Sequence, residues 1–176
     1  MDKEGVEQLF TIQLTPGDFC IDIPLAGASM YMPKISALLE EERVTTALLN
    51  GKRVVPYDAE QCPQMTATAL QTVADWVIYH IDNPIVPDTE EQIKEKEVNN
   101  LNARDKDVFC KLEMQVICDL ISIANYMDIP LLVAALIKAL CIAYIKGKTP
   151  DELRATFKIT RDLTAEEEEQ IKKDLE

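Results

Sequence analysis

A helix stop and a helix start stand back to back in residues 146–159, KGKTPDELRATFKI, and they restrict how the C-terminal part of this chain can fold. Gly147 follows a long apolar run, and glycine readily enters the left-handed conformation with which many helices end. Thr149 then has the chemistry of an N-cap and Pro150 suits the first helical position. Glu152 is placed to return a bond to Thr149 as the capping-box partner. Leu153 and Phe157 follow four residues apart, on one face of the short helix. The pattern repeats, because Thr164 and Glu167 make a second capping box ahead of a helix over 168–175. Short helices hung on a globular body bury little surface by themselves, so they offer a surface for another chain to complete.

At 176 residues the chain is long enough for one good core plus such an appendage. A net charge of −13 argues against nucleic acid as a partner, since a backbone binder needs a basic face. It argues equally against an anionic membrane surface. Acidity leaves two readings open: attraction to basic patches on partner proteins, or solubility alone. The first residues, MDKEGVEQ, contain neither an apolar core nor a cleavage site, so no signal peptide is expected. The longest apolar run, 131–145, is too short to span a bilayer and is interrupted by Lys138. Cys20, Cys62, Cys110, Cys118 and Cys141 are odd in number and contain no C-x-x-C pair. That usage fits reduced, buried thiols in the cytoplasm or nucleus.

Alternation of Phe10, Ile12 and Leu14, then of Phe19, Ile21 and Ile23, predicts a β-hairpin with one buried face. Pro16 and Gly17 stand between them where a type II turn wants them. Ile35, Leu38 and Leu39 predict a first helix ending in the acidic run 40–42. Val54 and Val55 predict a third strand, which Pro56 restricts to an edge or an end. Leu70, Val73, Ala74, Val77 and Ile81 recur at helical spacing, giving a helix over roughly 65–80 that Pro84 and Pro87 terminate. The charged stretch 88–102 reads as a flexible connection or a frayed helix. Val116, Ile117, Leu120, Ile121 and Ala124 define a further helix running to about Tyr126, broken at 128–130. The run 131–145 is apolar almost all round, so it is expected to be buried between neighbours. A small sheet with helices stacked on it is an α+β pattern, and no internal repeat is evident.

Catalytic, cofactor-binding and metal-binding groups are not expected. Gly147-Lys148-Thr149 lacks the earlier glycine of a phosphate loop, with Ile142 in its place, and a helix leads into it where a strand is required. His80 is the only histidine and has no metal-ligating partner at short spacing; near a helix C-terminus it complements the helix dipole. The runs 40–42 and 166–169 read as solvated acidic faces. Trp76 belongs to a core stripe.

Three segments carry a family resemblance. ANYMDI (124–129), KGKTPDELRATF (146–157) and LTAEEEEQIKK (163–173) are similar to the C-terminal half of the Skp family, the adaptors of SCF (Skp–cullin–F-box) ubiquitin ligases. The likeness extends more weakly to DWVIYHIDNP (75–84) and to the N-terminal strands, and its KGKTP block is specific. This chain departs from the family pattern in three places. Arg104 stands where a Trp is usual, the segment between Ile129 and Lys146 is about one residue longer, and the sequence ends at Glu176 ahead of the family's Trp- and Cys-containing tail.

The resemblance implies a BTB/POZ-like domain over 1–130, with a small three-stranded sheet, helices and a flexible acidic connection near 84–104. It implies an F-box-binding helical extension over 131–176, partly disordered until bound. It also implies a non-enzymatic adaptor that needs no cofactor and holds receptor and scaffold at a fixed distance. The matching Asn125-Tyr126 pair lies on the family's cullin-docking surface; on structural grounds alone, Asn125 helps end the helix and Tyr126 packs with its hydroxyl in water. Lys146, Pro150, Leu153, Phe157 and Ile159 are the candidates for the F-box face. The rival reading is a BTB-type homo-oligomerisation module outside any ubiquitin ligase, and a weak homodimer is compatible with either.

Overall fold

The computed structural model describes residues 9–15, 19–40, 48–49, 52–85 and 101–159, together with 164, 167, 170, 171 and 173. Strand β1 (Leu9–Thr15) pairs antiparallel with β2 (Cys20–Pro24), as the two alternating runs predict. The Pro16-Gly17 turn expected between them lies outside the described residues. Phe10, Ile12, Leu14, Ile21 and Ile23 are buried on the core side. Thr11 is also buried and donates its hydroxyl to Asp22 Oδ1 at 2.6 Å, fixing the register across the hairpin.

Two helices follow, α1 (Leu25–Tyr31) and α2 (Pro33–Glu40). They lie between β2 and the next strands, β3 (Leu48–Leu49) and β4 (Lys52–Asp58). That passage lets β4 return parallel to β1, since parallel neighbours need a long crossover. The sheet order is β2-β1-β4-β3. It therefore has a short fourth strand beyond the three expected. Pro56 lies inside β4, but β3 pairs only with Lys52 and Arg53, so at Pro56 the strand has β1 as its single described neighbour. The restriction of Pro56 to an edge is met locally.

Helix α3 (Ala67–Asp82) begins at Thr66, whose side chain accepts from Ala69 N–H at 3.2 Å. It buries Leu70, Val73, Ala74, Trp76, Val77 and His80 at helical spacing. Helix α1 lies so close to it that a Cβ on Gly27 would stand 2.5 Å from Val77 Cγ1. Only glycine permits that approach. The sequence pattern did not predict α1. LAGASMY has no side-chain cap, and its fixing comes from tertiary packing against α3 and β2.

Of the connection expected near 84–104, residues 86–100 lie outside the described residues. Asn102 caps a helix that the sequence reading left unassigned, α4 (Ala103–Phe109). Helix α5 (Met114–Tyr126) buries Ile117, Leu120, Ile123 and Ala124. Val116, expected on the same face, is exposed. The helix stops with Asp128 at φ 57°, while Ile129 N–H bonds to Ala124 O at 2.8 Å and Asp128 N–H to Asn125 O at 3.1 Å. This is a Schellman stop with Asp in the place glycine usually takes.

Helix α6 (Pro130–Leu140) packs on α4 and α5 and buries Leu132, Ala135, Leu136 and Ala139. The expectation that 131–145 is buried as a whole does not hold. Ile137 is 47% exposed, and none of Cys141–Ile145 is buried. These five residues form a π turn, with Lys146 N–H bonded to Cys141 O at 2.8 Å. A π turn closes on the fifth residue and so holds one more than an α turn. Gly147 follows at φ 75°, and α7 (Pro150–Thr156) completes the described helices apart from helical residues within 167–173.

Candidate functional site

Two exposed surfaces account for the residues singled out in the sequence. The first is built at the C-terminal end of α5. Asn125 is exposed and Tyr126 half-buried. The Tyr126 hydroxyl donates to Gln61 Oε1 at 3.0 Å, so its tip is held by the turn after β4. Its ring meets Tyr57 edge-on, with centroids 5.7 Å apart. Lys34 Nζ, from α2, lies 5.8 Å from the same ring. Burial raises the Tyr57 hydroxyl well above its ordinary pKa, with Tyr126 and Asp128 adding to the rise. Tyr57 therefore stays neutral as the floor of this patch. Three elements converge here, and Lys34, Tyr57 and Gln61 join Asn125 and Tyr126. Helical spacing within α5 carries no signal for those added residues, because they arrive from other parts of the chain.

The second surface is α7 with the joint that leads into it. The capping box forms as the sequence predicts. Thr149 N–H and Oγ1–H donate to Glu152 Oε2 at 2.8 and 2.9 Å, and Glu152 N–H returns to Thr149 Oγ1 at 3.3 Å. These bonds to Thr149 hold the Glu152 carboxyl below its ordinary pKa. Pro150 occupies the first turn and is exposed, as is Lys146. Leu153 is half-buried, Phe157 is 36% exposed and Ile159 54%. The helix stops with Lys158 at φ 52°, Ile159 N–H on Arg154 O at 2.9 Å and Lys158 N–H on Ala155 O at 3.3 Å. That second Schellman stop turns Ile159 back beside the end of the helix. The second capping box is also present, with Thr164 N–H donating to Glu167 Oε2 at 2.8 Å and Glu167 N–H to Thr164 Oγ1 at 3.3 Å. Residues 167, 170, 171 and 173 are helical, the last three within the helix expected over 168–175.

His80 does more than complement a helix dipole. It is fully buried, in the last turn of α3. Its Nδ1 stands 2.8 Å from Asn83 O, and Nε2 stands 3.1 and 3.2 Å from the carboxylate oxygens of Asp105 on α4. Tyr31 donates to His80 O at 2.7 Å, and the Trp76 ring lies 4.6 Å away. The partner comes from 25 residues downstream, which short-range spacing cannot reveal. A cavity of about 180 Å³ opens beside this pair, lined among others by Trp76, Arg104, Asp105 and Phe109. Both ring nitrogens of His80 lie within hydrogen-bond distance of protein oxygens. Its geometry is that of a buried tie between α3 and α4.

A mixed sheet backed by helices, carrying a capped helical extension in which no described residue from Cys141 onward is buried, defines an α+β domain of BTB-like fold. Residues 142–176 match the family model described as Skp1 family, dimerisation domain. The chain is 39% identical over 114 residues to the SCF ubiquitin ligase complex protein SKP1a of Dictyostelium discoideum, covering 65% of this chain and 68% of that protein. The same figures hold for SKP1b of that organism. A Skp1-related protein of Caenorhabditis elegans is 37% identical over 119 residues, which is 66% of each chain. The chain belongs to the Skp1 family.

Proposed function

We propose that this chain is an adaptor that links an F-box substrate receptor to a cullin scaffold in an SCF-type ubiquitin ligase. The observation that carries the reading is the extension. Two capping boxes and exposed apolar side chains, Phe157 and Ile159 among them, are built into a segment without a buried described residue. Such a surface gains stability when a second chain covers it. Curated relatives named as SCF ubiquitin ligase complex proteins support the same reading. Lys146, Pro150, Leu153, Phe157 and Ile159 form the receptor face. Asn125 and Tyr126, with Lys34 and Gln61 beside them, form the cullin face. A tyrosine held at its tip, with its ring half-buried, offers large contact area at low entropic cost. No chemistry is assigned to the chain itself. It acts by holding receptor and scaffold at a fixed separation, which raises the effective concentration of substrate near the ubiquitin-charged enzyme. The five cysteines are unpaired, which suits a reducing cytoplasm or nucleus.

The test is a binding titration with a cullin N-terminal fragment and with an F-box fragment. Replacing Asn125 and Tyr126 together by Ala is expected to weaken cullin binding by about 2 kcal/mol or more, roughly thirtyfold, and to leave F-box binding nearly intact. Equal loss of both partners would indicate misfolding, and unchanged cullin affinity would remove the assignment.

One observation favours a second reading. The family model that matches 142–176 is described as a dimerisation domain. In this reading the same extension pairs two copies of the chain. Sedimentation of the isolated protein distinguishes the readings: a tight dimer that an F-box fragment fails to dissociate would favour self-assembly.

A further inference from the structure

We propose that the π turn Cys141–Ile145, locked by Tyr144, fixes the rotation at which α7 is presented to its receptor, and that Tyr144 is therefore a positioning residue of that surface. The inference rests on the adaptor reading of the extension. None of the five residues of the turn is fully buried, and Tyr144 alone among them packs against the core. A polar contact does hold it. Tyr144 donates its hydroxyl to Leu112 O at 2.7 Å, in the link between α4 and α5. Lys148 Nζ lies 5.7 Å from the Tyr144 ring and donates to Thr156 Oγ1 at 3.0 Å. Thr156 Oγ1 in turn donates to Glu152 O at 2.7 Å. A continuous set of contacts thus runs from the body, through the turn, into α7.

The direction of the effect follows from helix geometry. If the same residues relaxed into an α turn, every residue after it would advance by one position. Its side chains would then rotate by about 100°, one residue's share of an α-helical turn. Leu153 and Phe157 would swing away from their present face. Neither side chain needs to move within α7 for the receptor surface to be lost, because the whole short helix turns. The extra residue in the π turn and the Tyr144 anchor therefore act together. With both present, or with both removed, the face points the same way; with the anchor removed alone, it does not.

Three variants test this: Tyr144→Phe, deletion of Ala143, and the two combined. Residual dipolar couplings report the orientation of α7 relative to α6 without any partner, and titration with a recombinant F-box fragment reports the surface. Tyr144→Phe is expected to rotate α7 and to weaken F-box binding by about tenfold or more. Its thermal unfolding midpoint should stay near that of the unmodified chain. Deletion of Ala143 alone removes the surplus residue and leaves α7 in place, with affinity within a few-fold. The combined variant regains both the orientation and the binding lost in Tyr144→Phe. A rescue by shortening the chain is not expected of a residue that merely stabilises the fold. An unchanged α7 orientation in Tyr144→Phe overturns the proposal, as does failure of the combined variant to recover. If the unmodified chain binds no F-box fragment, the adaptor reading fails by itself, and the couplings still decide whether Tyr144 sets the rotation.

Discussion

Helix α6 and the π turn that continues it are similarly apolar, yet α6 buries Leu132, Ala135, Leu136 and Ala139 while none of Cys141–Ile145 is buried. Neighbours make the difference. Helix α6 has α4 and α5 against it. A second contrast runs alongside. The body helices α5 and α6 begin without a side-chain cap, whereas α7 begins with a full capping box. Where a buried face stabilises a helix, caps are dispensable; where a helix of seven residues buries nothing fully, local signals must hold it.

The largest expected effect that could break this contrast comes from two phenylalanines. Phe109 on α4 is 2% exposed and Phe157 is 36% exposed. Phe109→Ala is expected to cost about 3–5 kcal/mol of folding stability, as a cavity in the core does. Phe157→Ala should cost under about 1 kcal/mol in stability, because its ring already meets solvent. It should nevertheless weaken F-box binding by about 2 kcal/mol. Denaturant unfolding and a binding titration on the same two variants make the comparison. Equal destabilisation would make Phe157 a core residue and erase the distinction between body and extension. Loss of self-association from Phe157→Ala, with F-box affinity unchanged, would transfer the surface to the dimer reading.

Amide hydrogen exchange sharpens the same contrast at smaller amplitude. Amides of α5 should exchange only through global opening, since Ile117, Ile123 and Ala124 are fully buried on it. Amides of α7 should exchange by local fraying, orders of magnitude faster, and an F-box fragment should slow them. Strong protection of α7 in the free chain would mean that caps alone hold it as firmly as packing holds α5.

Much of this architecture was legible because its signals are local. The two capping boxes, the Gly147 stop, the alternating strands and the core stripe of α3 depend on residues at most a few positions apart. What was not legible depends on partners far away in the chain. Helix α1 contains Gly27 because Val77 lies against it, fifty residues later. His80 finds Asp105 across the 86–100 segment, and Tyr126 finds Gln61 from 65 residues away. The incomplete burial of 141–145 escaped for a related reason: composition reports how apolar a turn is and carries no information about what lies beside it. Val116 went astray by one position around the helix, since period alone gives a stripe without its angular limits.

The smallest expected effect isolates the caps themselves. Thr149→Ala removes the side chain that accepts from Glu152 N–H and one of the two donors to Glu152 Oε2, so α7 should lose about 1 kcal/mol of local helix stability. Acid should weaken the same cap without mutation. The bonds from Thr149 depress the Glu152 carboxyl pKa in the folded chain, below its ordinary value of 4.5. A depressed carboxyl contributes stability that is fully present above the unfolded-state value and is lost as pH falls through the lower folded value. Lowering the pH from neutrality to about 5 should therefore leave α7 unchanged, and fraying should begin only below the ordinary carboxylate range. A net charge of −13 means that many other carboxyls titrate in the same acid range, so a global melting curve cannot isolate this one. Residue-specific chemical shifts of Asp151, Leu153 and Ala155 can, when compared with Glu152→Gln, in which the titrating group is absent. If those shifts move with pH identically in both chains, the carboxyl of Glu152 does not hold the cap, and the extension must owe its helix to contact with the π turn.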